Sequence, residues 1–169
     1  MSEVIEAEVE LDFLSNTSDE QYLTFELSGE IYAIDILRVQ EIKGWDKVTS
    51  VPNAPAYLQG VINLRGLIVP IVDLRKRFAM KVVPYTKTTV VIVMKVYSET
   101  QDRTMGIIVD AVSDVHNIKK ELIKPAPVMH GAISNDFLQG LAKVDHKMII
   151  VINIDALLNS NELAIEAVV

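Results

Sequence analysis

Asn63-Leu64-Arg65-Gly66-Leu67-Ile68-Val69-Pro70-Ile71-Val72-Asp73-Leu74-Arg75 decides the fold class. It reads as the end of one strand, a tight turn, and a second strand ending in an Asp. Gly66 can supply the positive φ that a short hairpin turn requires, so Tyr57–Leu64 and Leu67–Val72 are expected to pair around Arg65-Gly66. Pro70 has no N–H for a ladder and belongs at an edge or a bulge. Asp73 is placed to cap one helical turn over Asp73–Phe78. Nothing in the stretch is catalytic. It sets an Arg at a hairpin tip, with no acid close in sequence, where a partner can meet it.

Strand patterning extends both ways from this hairpin. Leu23, Phe25 and Leu27 alternate with Thr24, Glu26 and Ser28, which predicts a half-buried strand. Ser28-Gly29-Glu30 is a turn, and Tyr32, Ile34 and Ile36 share one face of the next strand, with Asp35 on the other. Thr88–Tyr97 is almost wholly apolar and β-branched, as a strand covered on both faces should be. Met105–Ala111 and Val112–Ile118 predict two more strands or one bent strand. Phe137–Val144 and Met148–Ile154 predict a hairpin around Asp145-His146-Lys147, and Asp155-Ala156-Leu157-Leu158 repeats the short capped turn.

The chain therefore has two halves of similar plan. Gln59-Gly60-Val61-Ile62-Asn63-Leu64 matches Gln139-Gly140-Leu141-Ala142-Lys143-Val144, and Ile71–Leu74 falls opposite Val151–Ile154. Tyr32-Ala33-Ile34 falls opposite Met105-Gly106-Ile107, and Val39–Ile42 opposite Val112–Val115. The offset is 73 residues in the earlier blocks and 80 in the later ones, so the second copy carries seven extra residues in the loop holding Pro125 and Pro127. Two β-subdomains are expected, about 21–84 and about 85–158. Each is marginal alone and gains by packing on the other.

Composition narrows the function classes. A chain of 169 residues without Cys has no disulfide, thiolate nucleophile or Cys-based metal site. No basic leader precedes an apolar run at the N-terminus, and the longest apolar runs fall far short of the ~20 residues that span a bilayer. A cytoplasmic protein with no direct membrane insertion is expected. Of the net charge of −7, all belongs to residues 1–20, which hold seven acids and no Lys or Arg; the remaining 149 residues carry 16 acids and 16 bases. Residues 1–20 read as a solvated acidic arm, and residues 159–169 as a C-terminal tail with helical potential. Nucleic acid is excluded as a partner because phosphates need clustered Lys and Arg.

Motifs that carry chemistry are scarce. His116, His130 and His146 are spaced for no metal motif, and no phosphate loop or nucleophile elbow is present. What remains is surface. In Ile36-Leu37-Arg38-Val39-Gln40-Glu41-Ile42 the alternation breaks, leaving Val39 flanked by Arg38 and Glu41. That is the composition either of an interface rim around an apolar anchor or of core at a strand bend. Trp45 is either a lid on the core or an exposed interaction residue.

Tyr32–Lys43, Asn53–Arg75 and Gly106–Val115 resemble the CheW-like domain family over roughly residues 21–158. The resemblance implies a mainly β fold: two intertwined SH3-like five-stranded β-barrels with an apolar core between them and short helical turns. It implies no catalysis and no cofactor. Such domains also occur within the histidine kinase CheA and the coupling protein CheV, and the match favours a stand-alone adaptor. The implied role is to couple methyl-accepting chemoreceptors, at their cytoplasmic tip, to the regulatory domain of CheA in membrane-associated signalling arrays. The family's receptor contacts correspond to Ile36, Val39, Glu41 and Arg65, and kinase contacts to Val48, Gly60 and Gly66. An adaptor of another receptor–kinase pathway and a small β-barrel ligand-binding domain are the alternatives.

Overall fold

The computed structural model describes residues 19–81, 84–127 and 135–159. The acidic arm up to residue 18, the tail from residue 160, and His130 lie outside the described residues. The last two residues assigned to the arm are already strand, because β1 starts at Asp19. The elements are β1 (Asp19–Leu27), β2 (Glu30–Asp35), β3 (Val39–Gly44), β4 (Leu58–Leu64), β5 (Leu67–Asp73), α1 (Leu74–Arg77), β6 (Val90–Val96), β7 (Arg103–Val109), β8 (Ala111–Lys119), β9 (Leu138–Val144), β10 (Lys147–Ile152) and α2 (Ile154–Leu158). Single 3-10 turns cover Ile36–Arg38, Lys120–Leu122 and Asn135–Phe137.

The strands form two five-stranded sheets, in the orders β3-β6-β7-β5-β4 and β8-β1-β2-β10-β9. Replacing each strand by its counterpart in the other half turns one order into the other, so the repeat seen in sequence is a repeat of structure. Both sheets nevertheless mix the halves. The first, the central barrel, uses β3–β7; the second, the terminal barrel, uses β1, β2 and β8–β10. A parallel pair joins the halves inside each: β5 with β7, and β10 with β2. Met105–Ile118 is two strands rather than one bent strand, because the chain changes sheets at Asp110. Pro70 pairs with Val61 of β4 and lies one residue ahead of the β7 ladder, so its missing N–H costs that ladder nothing.

Period-two alternation divides the core into three. In β6, Val91 and Val93 fill the central barrel while Ile92, Met94 and Val96 face the core between the barrels. This accounts for the all-apolar strand: both of its faces are covered. The shared core takes Leu23, Phe25, Leu27, Tyr32 and Ile34 from one barrel and Met105, Ile107 and Val109 from the other. The terminal barrel encloses Tyr22, Ala33, Ile118, Ala142, Ile149 and Val151.

Each barrel is closed across its open edge by a short bridge. Thr49 and Val61 exchange backbone hydrogen bonds of 3.0 and 2.8 Å, and Lys124 and Leu141 exchange two of 2.8 Å. Gly60 and Gly140 stand next to these bridges. A Cβ at Gly60 would lie 2.3 Å from the Thr49 carbonyl oxygen, and one at Gly140 would lie 2.4 Å from that of Lys124. The repeated Gln-Gly is thus a repeated requirement for space where a loop crosses a strand.

Two capped helical turns follow β5 and β10. Asp73 accepts from the Arg75 N–H and Asn153 from the Ala156 N–H. Arg75 is fully buried, donating from Nε and Nη2 to Asp73 at 3.1 Å each and from Nη1 to Asp110 at 3.2 Å. Burial pulls the Arg75 pKa down, but the Asp73 hydrogen bonds and the charges of Asp73 and Asp110 outweigh it, and the net direction is up.

Gly140→Ala is expected to destabilise the fold by about 1–3 kcal/mol through overpacking against Lys124. Urea unfolding measures this, and an unchanged midpoint would refute the tight crossing. A second expectation concerns alkali. Burial pushes the Tyr32 phenol up to about 12; burial and then the hydrogen bond to Glu20 do the same to Tyr22. Unfolded tyrosine ionises near 10. A folded pKa above the unfolded one contributes stability that is whole below pH about 10 and lost as pH rises through about 12. Phenolate absorbance of these two groups should therefore rise together with loss of near-ultraviolet circular dichroism. Ionisation near pH 10 with the fold intact would contradict it.

Candidate interaction site

Asp35 ends β2 and its carboxylate accepts from the Leu37 N–H at 2.9 Å, starting the 3-10 turn Ile36–Arg38. The Val39 N–H closes the turn on the Ile36 carbonyl. Here the chain leaves the terminal barrel for the central one. Ile36 and Val39 are partly buried against the shared core, whereas Leu37 is 84% exposed. The broken alternation thus has a local cause: a turn of three residues, followed by a register shift between Val39 and Glu41 in the pairing of β3 with β6. Of the two alternatives read for Val39, the structure shows the core one: the residue is partly buried against the shared core, at a bend.

Arg65 and Gly66 form the expected tip of the β4–β5 hairpin. Both have positive φ, +52° and +88°, and the Gly66 N–H donates to the Asn63 side chain at 2.8 Å. Arg65 is 73% exposed and reaches Glu41 of β3 at 3.5 Å. The acid missing from its sequence neighbourhood is therefore supplied in space. At that distance and exposure the contact is a loose surface pair that a partner can break cheaply. Ile36, Val39, Glu41 and Arg65 all lie along the crossing turn, β3 and the hairpin tip beside it.

The residues read as kinase contacts separate into two places. Val48 and Gly60 meet at the Thr49–Val61 closure, where a Cβ at Gly60 would come within 2.9 Å of a Val48 methyl. Gly66 is at the other end of the hairpin, next to Arg65. A cleft of about 240 Å³ runs beside the closure between β3 and β4, with Lys43, Lys47, Val48, Val61 and Asn63 among its lining. Trp45 covers the central barrel, with its ring 4.2 Å from that of Tyr85.

Arg38 takes a different course from Arg65. Its Nη1 and Nη2 donate to the two carboxylate oxygens of Asp155 at 2.6 Å each, and its guanidinium lies 4.1 Å from the centre of the Tyr97 ring. The hydrogen bonds to Asp155 raise the Arg38 pKa, so the charge is permanent. Asp155 sits on α2 and also accepts from the Tyr97 N–H at 2.8 Å. Sequence reading missed this clamp, and it missed the outward Leu37 and the half-exposed Leu67 and Ile68 after the hairpin tip.

Among the described residues no group of three His, Asp or Glu is placed to hold a metal ion. Asp73, the most buried acid, is saturated by Arg75 and by the Tyr85 hydroxyl at 3.1 Å, which leaves it structural. No helix among them is long and apolar enough to cross a membrane. What the surface offers is an apolar corner with a charged margin, a shape suited to protein contact.

Comparison with known proteins agrees. The family model described as CheW-like domain matches residues 21–162. The protein named chemotaxis protein CheW of Klebsiella aerogenes is 45% identical over 149 residues, covering 88% of this chain and 87% of its own. The probable chemotaxis protein CheW of Rhizobium etli is 36% identical, over 87% of this chain and 92% of its own. Among solved structures, the scaffolding protein TtCheW from Thermoanaerobacter tengcongensis superposes with a TM-score of 0.75 at 35% identity, covering 85% of this chain and 90% of its own.

The turn beneath Arg65 yields a clean substitution. No atom lies within 4 Å of a Cβ added at Gly66, so Gly66→Val should cost only the left-handed backbone, about 1–2 kcal/mol plus the β-branch penalty. Thermal unfolding reads the loss, and a variant as stable as wild type would contradict the turn.

Proposed function

The chain belongs to the CheW-like domain family, and from that premise we propose that it is a non-catalytic adaptor coupling methyl-accepting chemoreceptors to the histidine kinase CheA in bacterial chemotaxis arrays. The observation that carries this reading is 45% identity with a protein named for chemotaxis across nearly the whole of both chains. The surface supports it. Receptor tips of this class are helical hairpins, and an apolar corner with charged edges accepts a helix face. Ile36 and Val39 provide the apolar contact, and the Glu41–Arg65 margin sets specificity more than affinity. Val48 and Gly60, at the closure of the central barrel, are the kinase-facing candidates, with Gly66 at the hairpin tip as a third. Recruitment to membrane-associated arrays then follows from the two partners, with no insertion of this chain.

CheA autophosphorylation with receptor-containing membranes tests the proposal. Addition of this protein should raise kinase activity strongly, and attractant should suppress it. Arg65→Glu should weaken that activation while changing stability by no more than about 0.5 kcal/mol, as exposed substitutions do. Absence of activation with cognate, folded partners would sink the chemotaxis reading and point to another receptor–kinase pathway. Loss of folding in Arg65→Glu would make Arg65 structural.

A further inference from the structure

Arg38 lies between two residues assigned to the receptor contact, Ile36 and Val39, and in sequence it looks like a third rim charge. Its environment says otherwise. Both terminal nitrogens are engaged by Asp155 at 2.6 Å, Nη1 also reaches the Lys95 carbonyl at 3.4 Å, and the Tyr97 ring covers one face. Its side chain is 22% exposed, against 73% for Arg65. A guanidinium whose fork is already matched by a carboxylate has little left to offer a partner. The clamp instead reaches from α2, more than a hundred residues along the chain, to the turn from which Leu37 projects.

We infer that Arg38 is a positioning residue: through Asp155 it holds the corner that carries Ile36 and Val39, and it does not itself touch the receptor. The assignment of a receptor to this corner rests on the function proposed above; the clamp itself does not. A rotamer-rich side chain held bidentately and stacked on a ring lets a 3-10 turn keep one geometry before binding, so less conformational freedom remains to be lost when a partner arrives.

Two measurements separate these layers. Amide hydrogen exchange requires no receptor. Asp155→Ala should speed exchange of the Val39 N–H at least about tenfold, or about 1.4 kcal/mol of local opening, and leave β6 and β7 unchanged. Unchanged exchange at Val39 overturns the inference. Should Asp155→Ala fail to fold, Asp155→Asn keeps the acceptor for the Tyr97 N–H and removes the charge, and the same comparison is made on it. Titration with a receptor-tip fragment then compares Arg38→Ala, Asp155→Ala and the double variant. Positioning predicts an equal loss in all three, about tenfold, because one clamp is removed each time. A loss in Arg38→Ala with full binding in Asp155→Ala would make Arg38 a contact and overturn the inference. Full binding in all three overturns it too. If wild type fails to bind any tip, the receptor assignment fails while the exchange result still decides the clamp.

Discussion

The fold depends on where the chain passes between its barrels. Among the described residues it does so twice, from β2 to β3 at Ile36–Arg38 and from β7 to β8 at Asp110. Each crossing is tied by an Arg–Asp pair to the helical turn that ends a strand of the other half. Asp110 meets Arg75 of α1, and Arg38 meets Asp155 of α2. Arg75 and Asp155 occupy equivalent places in the repeat, and so, within one residue, do Arg38 and Asp110. The two ties therefore have opposite polarity. Each also carries a tyrosine under its guanidinium, Tyr85 for Arg75 and Tyr97 for Arg38.

Opposite polarity distinguishes two assemblies that the repeat would otherwise leave close in energy. Were each half to close on itself, β5 would lie beside β2 and bring Arg75 to Arg38, while β10 would lie beside β7 and bring Asp155 to Asp110. Both meetings are repulsive. With strands exchanged, both are attractive. Buried ion pairs add little net stability over apolar packing, but like charges forced together cost a great deal, so these groups act on the choice of partner strand. The two sites differ in depth as well. Arg75 is sealed in, whereas the Arg38 pair stays near the surface, at the corner that carries the candidate contacts.

Strands, hairpins and caps were legible because alternation, Asn-Leu-Arg-Gly and the terminal Asp each act locally. Nine of the ten strands lie close to where patterning puts them, β3 being the exception because alternation breaks at its start; both helical turns do too, although Asn153 rather than Asp155 caps the second. The division into halves at about residue 84 describes the repeat, and the sheets are cut elsewhere, because pairing is decided by contacts between distant residues. Arg75 could not be read as buried, since Arg75-Lys76-Arg77 looks like a solvated basic run and one of its two acid partners, Asp110, lies 35 positions away. Val39 was legible only as ambiguous, because a residue partly buried at a bend carries no clean alternation. Glu41 beside Arg65 needed the barrel to bring β3 to the hairpin tip. The glycines at positions 60 and 140 were visible as a repeat, but the reason for them, a carbonyl lying where a methyl would go, exists only in three dimensions.

The strand exchange also imposes an order of events during synthesis. All five strands of the central barrel lie within residues 39–109, uninterrupted by any strand of the other. That barrel can complete its ladder as soon as β7 has emerged. The β1–β2 hairpin, made first, must wait for β8 and β10, and its parallel partner arrives only at residues 149–151. During the interval Leu23, Phe25, Leu27 and Ile34 can pack on the outer face of the newly closed barrel, where Ile92, Met94 and Ile107 meet them in the finished molecule. The apolar layer between the barrels is in this sense a cradle for the nascent chain. It shelters an unfinished sheet edge of the kind that otherwise recruits neighbouring chains.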